Sequence, residues 1–420
     1  MSSEHEKLKS ILEGVGGQLA TIIKNYGCMI IQANPDLDSV LAASILYEAL
    51  ARNRVECVIN FSLLPDDNFD APVAYLGYPV EAIEDLKPRY GAVLFARGEQ
   101  PKGLTRFPLV ASRDTSVAGL VASALSELMV VGELGIPAII AGYWRGLDSG
   151  KRAEFRGLEV QLIEALETEN KVIGQLTIRL FRWFIRPVEE AIAETIAPFI
   201  PGLSCEYEKV REFLESDPRL RKALGRTVNE LNQDLLALLA EKLYEKLKAE
   251  SRIMRRPSEL IGYAYYSEVF PLKDLREAAY ILYSFLEYAS PHHLAPLAST
   301  PLQIAAAAKL AYSKLKSELC EQIEKWHSSR PREESIGRLK IARIGETEAP
   351  LAILEKQLRL LGDISSSTIL AVEGGEGLLV SAETLVEMGG YAWLKDSIKN
   401  GCVEPIDGVL VKLNTAKCSW

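Results

Sequence analysis

The sequence contains very little histidine and no long apolar run. Only four of its 420 residues are histidine, although metal sites that hydrolyse their substrates usually include histidine ligands. No apolar stretch approaches the roughly 20 residues that a membrane-spanning helix needs. The first residues are charged and have a helical pattern, unlike a signal peptide. We therefore expect a cytoplasmic protein that makes no contact with a membrane.

The sequence also lacks paired cysteines. Its six cysteines are scattered and include no Cys-x-x-Cys pair, so neither a zinc site nor a disulfide framework is indicated. We expect reduced thiols, as is usual in the cytosol. The cysteines are Cys28, Cys57, Cys205, Cys320, Cys402 and Cys418.

Positive charge is in the minority. The chain has 48 Lys and Arg against 57 Asp and Glu, and a formal net charge of -9. This balance excludes a protein that coats nucleic acid through general basicity, although a local basic patch remains compatible with it. A 48% share of hydrophobic residues is ordinary for a globular protein, and the length indicates two or three domains.

The first part of the chain, residues 1–156, alternates short apolar strands with helices. This pattern predicts an α/β domain with a parallel sheet covered on both faces. One helix is expected at residues 39–53 and another at 116–128. The strands are expected at residues 28–31, 55–61, 71–76, 91–95, 108–111 and 136–141.

The rest of the chain changes character twice. Residues 157–327 have helical periodicity almost throughout, including 172–184, and predict a largely helical region. Residues 328–337 are polar with Pro and Gly, and predict a linker. Residues 338–420 return to an α/β pattern and predict a smaller C-terminal domain. Within it, residues 364–372 and 378–381 predict a hairpin around a glycine turn.

Two aspartates follow the first predicted strand at a spacing of two. Asp36 and Asp38 lie where α/β sheets place their sites, in the loop after the carboxyl end of a parallel strand. Two carboxylates that point the same way can share one divalent metal ion. The alternative is a turn followed by a helix N-cap, with Asp38 or Ser39 as the capping residue. The spacing alone is compatible with both.

The same loop resembles a known family. Residues 34–39, Asn-Pro-Asp-Leu-Asp-Ser, are similar to the first motif, His-x-Asp-x-Asp, of the DHH phosphoesterase superfamily. The likeness is greatest to the archaeal RecJ-like proteins, which in turn resemble the eukaryotic replication factor called cell division control protein forty-five. Further stretches agree with the family in their order: 114–118, 139–142, 155–158, 180–187, 198–204 and 275–286. The resemblance implies a DHH-like domain and a C-terminal DHH-associated-like domain.

The departures from the family pattern bear on the function. Active members hold two metal ions, whereas here Asn34 replaces the first-motif histidine and residues 75–77 contain no carboxylate. Ala96-Arg97-Gly98 stands where the resemblance would place Asp-His-His, and residues 143–146 lack the expected aspartate. A cation at position 97 would repel a metal ion. The resemblance therefore implies a pseudoenzyme without catalytic residues. It implies no cofactor except a residual Mg²⁺ or Mn²⁺ ion at Asp36 and Asp38, with Asn34 as a further candidate ligand.

Three functional hypotheses follow from this resemblance. The first is an inactive scaffold subunit of the archaeal replicative helicase, in a CMG-like complex with GINS and MCM. The second is a residual metal-dependent single-strand exonuclease or phosphodiesterase, whose other ligands would come from Asp66, Asp67, Asp114 or Asp148. The third, compatible with the first, is a groove for single-stranded DNA in which Arg97, Arg113 and Arg145 contact phosphate.

Overall fold

The computed structural model describes residues 2–83, 86–102, 105–337, 339–374, 377–406 and 409–418. The first part of the chain is built from five strands and their surrounding helices. Its strands are β1 (Cys28–Ala33), β2 (Glu56–Phe61), β3 (Val73–Pro79), β4 (Ala92–Arg97) and β5 (Leu109–Ser112). Its helices are α1 (Ser2–Asn25), α2 (Leu37–Arg52), α3 (Val80–Ile83), α4 (Val117–Ser126), α5 (Ile136–Trp144) and α6 (Glu159–Thr168).

These five strands form one parallel sheet in the order β2-β1-β3-β4-β5. The central strands are almost wholly apolar, as strands buried on both faces must be. Helices α2, α4 and α5 pack against one another, and their side chains join those of the sheet in the main core. Because the strands are parallel, β1, β3 and β4 all end at the same edge of the sheet. The five strands predicted at residues 28–111 are confirmed, with shifts of a few residues at their ends.

One predicted strand in this domain is wrong. Residues 136–141 belong to α5, whose side chains are buried from Ile136 to Trp144. A helix that is buried all round has no polar face, so its sequence has no helical period to distinguish it from a buried strand. Pro137 at the start of the helix was an available signal, because proline is favoured in the first helical turn.

The middle of the chain is helical around one two-stranded sheet. Its helices are α7 (Val188–Glu194), α8 (Tyr207–Glu215), α9 (Gln233–Glu250), α10 (Leu275–Ala289), α11 (Pro291–Leu294) and α12 (Pro301–Ser329). Strands β6 (Val172–Ile178) and β7 (Ile261–Ser267) pair antiparallel. The helix predicted at residues 172–184 is therefore wrong. Residues 172–178 form β6 because they pair with β7, which lies far along the chain. Pairing, not local propensity, therefore determines the structure of these residues.

The C-terminal part is a mixed sheet with helices. Its strands are β8 (Glu333–Ile336), β9 (Leu339–Ile344), β10 (Thr368–Gly374), β11 (Gly377–Ser381), β12 (Val403–Ile406) and β13 (Leu410–Leu413). Its helices are α13 (Leu351–Leu361), α14 (Ala382–Gly389) and α15 (Tyr391–Lys399). The sheet order is β12-β13-β11-β10-β9-β8, and β10 and β11 form the predicted hairpin. Of the glycine turn between them, residues 375 and 376 lie outside the described part.

The stretch predicted as a linker is structured. Residues 328 and 329 end α12, and β8 pairs antiparallel with β9 as the edge strand of the C-terminal sheet. Edge strands are often short and charged, as Glu333 and Glu334 make this one. Such a strand has the composition of a linker, which is why the sequence pattern failed here.

Four of the six cysteines form disulfides, so the prediction of reduced thiols is wrong for them. Cys205 is bonded to Cys320 and Cys402 to Cys418, while Cys28 and Cys57 are free. Cys205 and Cys320 are 115 residues apart in the sequence. Only the tertiary structure brings such a pair together, because no local spacing predicts it.

The architecture agrees with the predicted fold class. A parallel-sheet domain is followed by a mainly helical region and a smaller mixed-sheet domain with helices. In the described part of the chain, no helix combines the length and the apolar character that crossing a membrane requires.

Candidate functional site: the loop after the first strand

Asp36 begins helix α2 as its N-cap. Its carboxylate accepts hydrogen bonds from the backbone N–H of Ser39 at 3.0 Å and from the Ser39 hydroxyl at 2.8 Å. The sequence predicted Asp38 or Ser39 in this role, two or three residues later. The cap lies earlier because Leu37 and Asp38 already have helical geometry. The correction matters because it leaves the Asp38 carboxylate available for a different contact.

Asp38 holds the start of a second helix. It is 1% exposed, and its two oxygens accept the backbone N–H groups of Val117 and Ala118, each at 3.0 Å. These donors belong to the first turn of α4, where N–H groups have no partner within the helix. The positive end of the helix dipole also favours a carboxylate at this place. Both aspartates therefore make structural contacts that a helix start requires.

Arg97 lies between the two aspartates. It is the last residue of β4, and the parallel sheet brings this strand end to the same edge as the end of β1. Its guanidinium donates a hydrogen bond to the Asp36 carboxylate and lies 3.8 Å from a carboxylate oxygen of Asp38. Burial lowers the pKa of Arg97, but the attraction of the two carboxylates outweighs it and holds the pKa above its usual value. The site thus contains a permanent side-chain cation.

The neighbouring strand end has no room for a metal ligand. Gly77 lies within the buried part of β3 with a φ of 77°, and a Cβ atom built on it would lie 1.7 Å from the Ser39 hydroxyl oxygen. Any side chain at position 77 would therefore displace the start of α2. This explains in physical terms why no carboxylate stands here, where the family pattern has one.

A glutamate from the C-terminal domain closes the site. Glu383, in the first turn of α14, accepts a hydrogen bond from the Trp144 indole at 3.2 Å and lies 3.6 Å from Arg145. Burial and the nearby Asp36 raise the pKa of Glu383. A cavity of about 10 Å³ remains between the aspartate loop and Glu383, which is room for about one water molecule. Sequence reasoning missed Glu383, since no local pattern connects it to residues so far away.

The predicted arginines differ in their surroundings. Arg97 and Arg145 each face carboxylates, and both lower the pKa of Glu383 against the effect of burial. Arg113 directly follows Ser112, which pairs with Arg97 in the sheet, and its side chain is 70% exposed and 3.4 Å from Glu99. Their contact with DNA stays a prediction, and Arg113 is the most accessible of the three.

The other aspartates considered as ligands have partners elsewhere or lie in solvent. Asp148 forms an ion pair with Arg179. Asp67 accepts the backbone N–H of Lys87 at 2.9 Å. Asp66 and Asp114 are exposed in loops. None of the four has a described contact with the two aspartates after β1.

The donor set at this site does not fit a pair of divalent ions. Two metal ions would each need a full set of ligands, whereas Asp36 and Asp38 are the carboxylates of the loop and both are engaged by backbone N–H groups and Arg97. Among the described residues, no group of three or more His, Cys, Asp or Glu side chains is arranged to hold a metal ion. Asn34 contributes an amide, which is a weaker ligand than imidazole for ions of the manganese type.

A buried glutamate that the sequence did not reveal supports α4. Glu159 accepts the backbone N–H of Ser116 at 2.7 Å and its hydroxyl at 2.6 Å, and Ser116 is the N-cap of α4. Burial raises the pKa of Glu159 to about 8. Its carboxyl group is therefore protonated in the folded protein at a pH where it would be ionised in the unfolded chain.

We expect this glutamate to make the protein less stable as the pH rises. Since its folded pKa lies above its unfolded value, stability is lost between the usual pKa of 4.5 and about 8. The midpoint of urea unfolding should fall from pH 6 to pH 8.5, and Glu159→Gln should reduce that fall. Glu164→Gln, on the exposed side of the same helix, is the control. An equal pH dependence in Glu159→Gln and the unsubstituted protein would contradict the assignment.

Comparison with known proteins supports the fold. No protein-family model matches the sequence, and no curated protein matches it by sequence. The crystal structure of CDC45 from Entamoeba histolytica matches with a TM-score of 0.65 at 10% identity, covering 97% of this chain and 96% of that one. RecJ in complex with Mn²⁺ from Thermus thermophilus matches with a TM-score of 0.44 at 9% identity, covering 96% of this chain and 52% of that one. The chain has a fold like that of CDC45, in agreement with the fold class that the sequence predicted.

Proposed function

We propose that this protein, which has the fold of CDC45, is a catalytically inactive scaffold subunit of a replicative helicase complex of the archaeal type. In this proposal it binds GINS and MCM and does not hydrolyse nucleic acid. Two lines of support come together here. The likeness to CDC45 extends over nearly the whole of both chains. The site that would perform hydrolysis contains an arginine between its two aspartates.

Arg97 is the observation that carries the proposal. A guanidinium in contact with Asp36 and Asp38 occupies space beside them and offsets one of the two negative charges that would attract a metal ion. Without a bound metal ion there is no activated water and no Lewis acid for phosphodiester hydrolysis. Glu383 adds a steric barrier, because it leaves space for about one water molecule beside the loop. A surface that binds other proteins requires none of this chemistry.

The alternative is a residual metal-dependent single-strand exonuclease or phosphodiesterase. It is favoured by the position of Asp36 and Asp38, which both lie at the carboxyl end of β1. In this alternative Arg97 would swing away when a metal ion binds, and the C-terminal domain would open to withdraw Glu383. A contact with single-stranded DNA is compatible with the scaffold proposal and would use Arg113 most readily, since that arginine is the most exposed.

Two measurements test the proposal. The purified protein should leave 5′- and 3′-labelled single-stranded DNA and RNA intact in the presence of Mn²⁺, and it should co-purify with GINS from a mixture of the two. The double variant Asp36→Ala, Asp38→Ala is the matched control for the nuclease assay. Mn²⁺-dependent degradation that disappears in this variant, while its circular dichroism spectrum remains that of the folded protein, would establish the alternative instead. A protein that elutes separately from GINS and MCM at micromolar concentrations would refute the scaffold role.

A further inference from the structure

The helices α7, α8 and α9 form a module with a core of its own. We call residues 178–260 the helical module. Most of its buried side chains, including Trp183 and Leu243, form a cluster separate from the main core, whereas Phe181, Ile196 and Phe199 belong to the main core. Its two chain ends are anchored to the rest of the protein. Arg182 pairs with Glu277 of α10 at 2.7 Å, and the backbone N–H of Arg252, just beyond α9, bonds to the last turn of α13 at 2.8 Å.

The module meets helix α12 across an open groove instead of a packed interface. The groove has a volume of about 990 Å³, and most of its lining residues are polar. The described polar contacts across it are an ion pair between Glu194 and Lys316 at 2.5 Å and a hydrogen bond from the Gly202 N–H to Glu324 at 2.9 Å. The covalent contact is the disulfide between Cys205 of the module and Cys320 of α12.

Carboxylates line both walls of the groove. The five glutamates are Glu190, Glu194, Glu206, Glu321 and Glu324, the first three on the module and the last two on α12. Lys316 and Lys325 are the cations on the lining. The α12 wall carries as many lysines as glutamates, and Lys316 pairs with Glu194 on the opposite wall. In the described part of the chain this ion pair, one hydrogen bond and the disulfide link the polar walls, and the disulfide is the covalent link among them.

The disulfide is open to chemical attack from the groove. Both sulfur-bearing residues line it, and Cys205 is partly exposed. Cys205 also has a φ of 68°, in the left-handed region that residues other than glycine rarely adopt. The second disulfide lies outside the lining of this groove and joins two cysteines that are only 16 residues apart.

We propose that the Cys205–Cys320 disulfide is a redox latch that fixes the helical module against α12. A dithiol reductant opens the latch by thiol–disulfide exchange. Two electrons and two protons pass to the cysteines, which become two thiols, while the reductant becomes a cyclic disulfide. Across the groove, residues 188–215 are then held to α12 by the Glu194–Lys316 ion pair and the Gly202–Glu324 hydrogen bond without the covalent link, so this wall opens more often. The latch is independent of the proposed scaffold function, since it needs neither GINS nor MCM.

Hydrogen exchange followed by mass spectrometry tests the latch. Alkylation of the purified full-length protein without reductant should block only Cys28 and Cys57. Dithiothreitol should then accelerate amide exchange in residues 188–215 by about tenfold or more, with no change in the strands β1, β3 and β4.

The variants separate the two disulfides. Cys205→Ser with Cys320→Ser should exchange as fast as the reduced protein even without dithiothreitol, and Cys402→Ser with Cys418→Ser should still respond to it in residues 188–215. Six alkylated cysteines in the protein before reduction would overturn the proposal. So would exchange in residues 188–215 that reduction leaves unchanged. If the first double variant does not fold, the comparison of oxidised and reduced natural protein decides the question.

Discussion

Replacing Arg97 by alanine is expected to lower the free energy of unfolding by about 3–5 kcal/mol, the usual effect of removing one partner of a buried ion pair. The reason is that Asp36 and Asp38 are 4% and 1% exposed and would face each other without a counter-ion. Urea unfolding followed by circular dichroism measures the change. Arg113→Ala is the control, because that side chain is 70% exposed and its loss should change stability by less than about 1 kcal/mol.

The same variant also tests whether the Arg97 guanidinium stands in the place of a metal ion. With Arg97 removed, the two carboxylates should attract a divalent ion, so millimolar Mn²⁺ should raise the unfolding midpoint of Arg97→Ala and leave that of the unsubstituted protein unchanged. Arg97→Lys keeps the charge and should respond less. If Arg97→Ala proves as stable as the natural protein, the site does not depend on this charge and the argument for a pseudoenzyme loses its main support.

Asp38→Ala is expected to destabilise the protein by about 2–4 kcal/mol and to loosen the start of α4. Two buried backbone N–H groups, those of Val117 and Ala118, would lose their acceptor, and each unsatisfied buried donor costs about 1–3 kcal/mol. Arg97 would also lose one of its carboxylates. Amide exchange of residues 117–121, together with the urea midpoint, reports both effects.

Asp66→Ala provides the comparison for Asp38→Ala, because Asp66 is exposed in a loop. Its replacement should leave both measurements nearly unchanged. This pair of variants distinguishes the structural role of Asp38 from a catalytic one. A catalytic aspartate at a metal site is often replaceable with a gain in stability, since its removal relieves charge repulsion. An Asp38→Ala variant with higher stability would therefore show that holding the start of α4 is not the role of Asp38.

Much of the fold follows from local patterns in the sequence. The alternation of apolar strands and helices predicted the parallel sheet, and Asp36 with Asp38 marked the strand end where the site lies. Both predictions depend on near neighbours in the chain, such as the hydrophobic run of β1 and the turn that follows it. Wherever structure depends on neighbours close in sequence, one chain without relatives is enough to predict it.

The failures share a different cause. The buried helix α5 was predicted as a strand, since an element surrounded by apolar side chains has no period of its own. Strand β6 was predicted as a helix, because its strand character comes from pairing with β7, which lies far along the chain. Cys205 and Cys320, 115 residues apart, form a disulfide that no spacing indicates.

The sequence by itself determined which residues are present at the candidate site and which ligands are missing from it. It placed Arg97 where the resemblance expects metal ligands, and it contained no histidine at position 34. Only the tertiary structure decided what these residues do. The parallel sheet brings the ends of β1 and β4 to the same edge, so that Arg97 meets Asp36 and Asp38, and the folding of the C-terminal domain places Glu383 near them. Charges act through space, so their effect depends on distances that the order of residues in the chain does not contain.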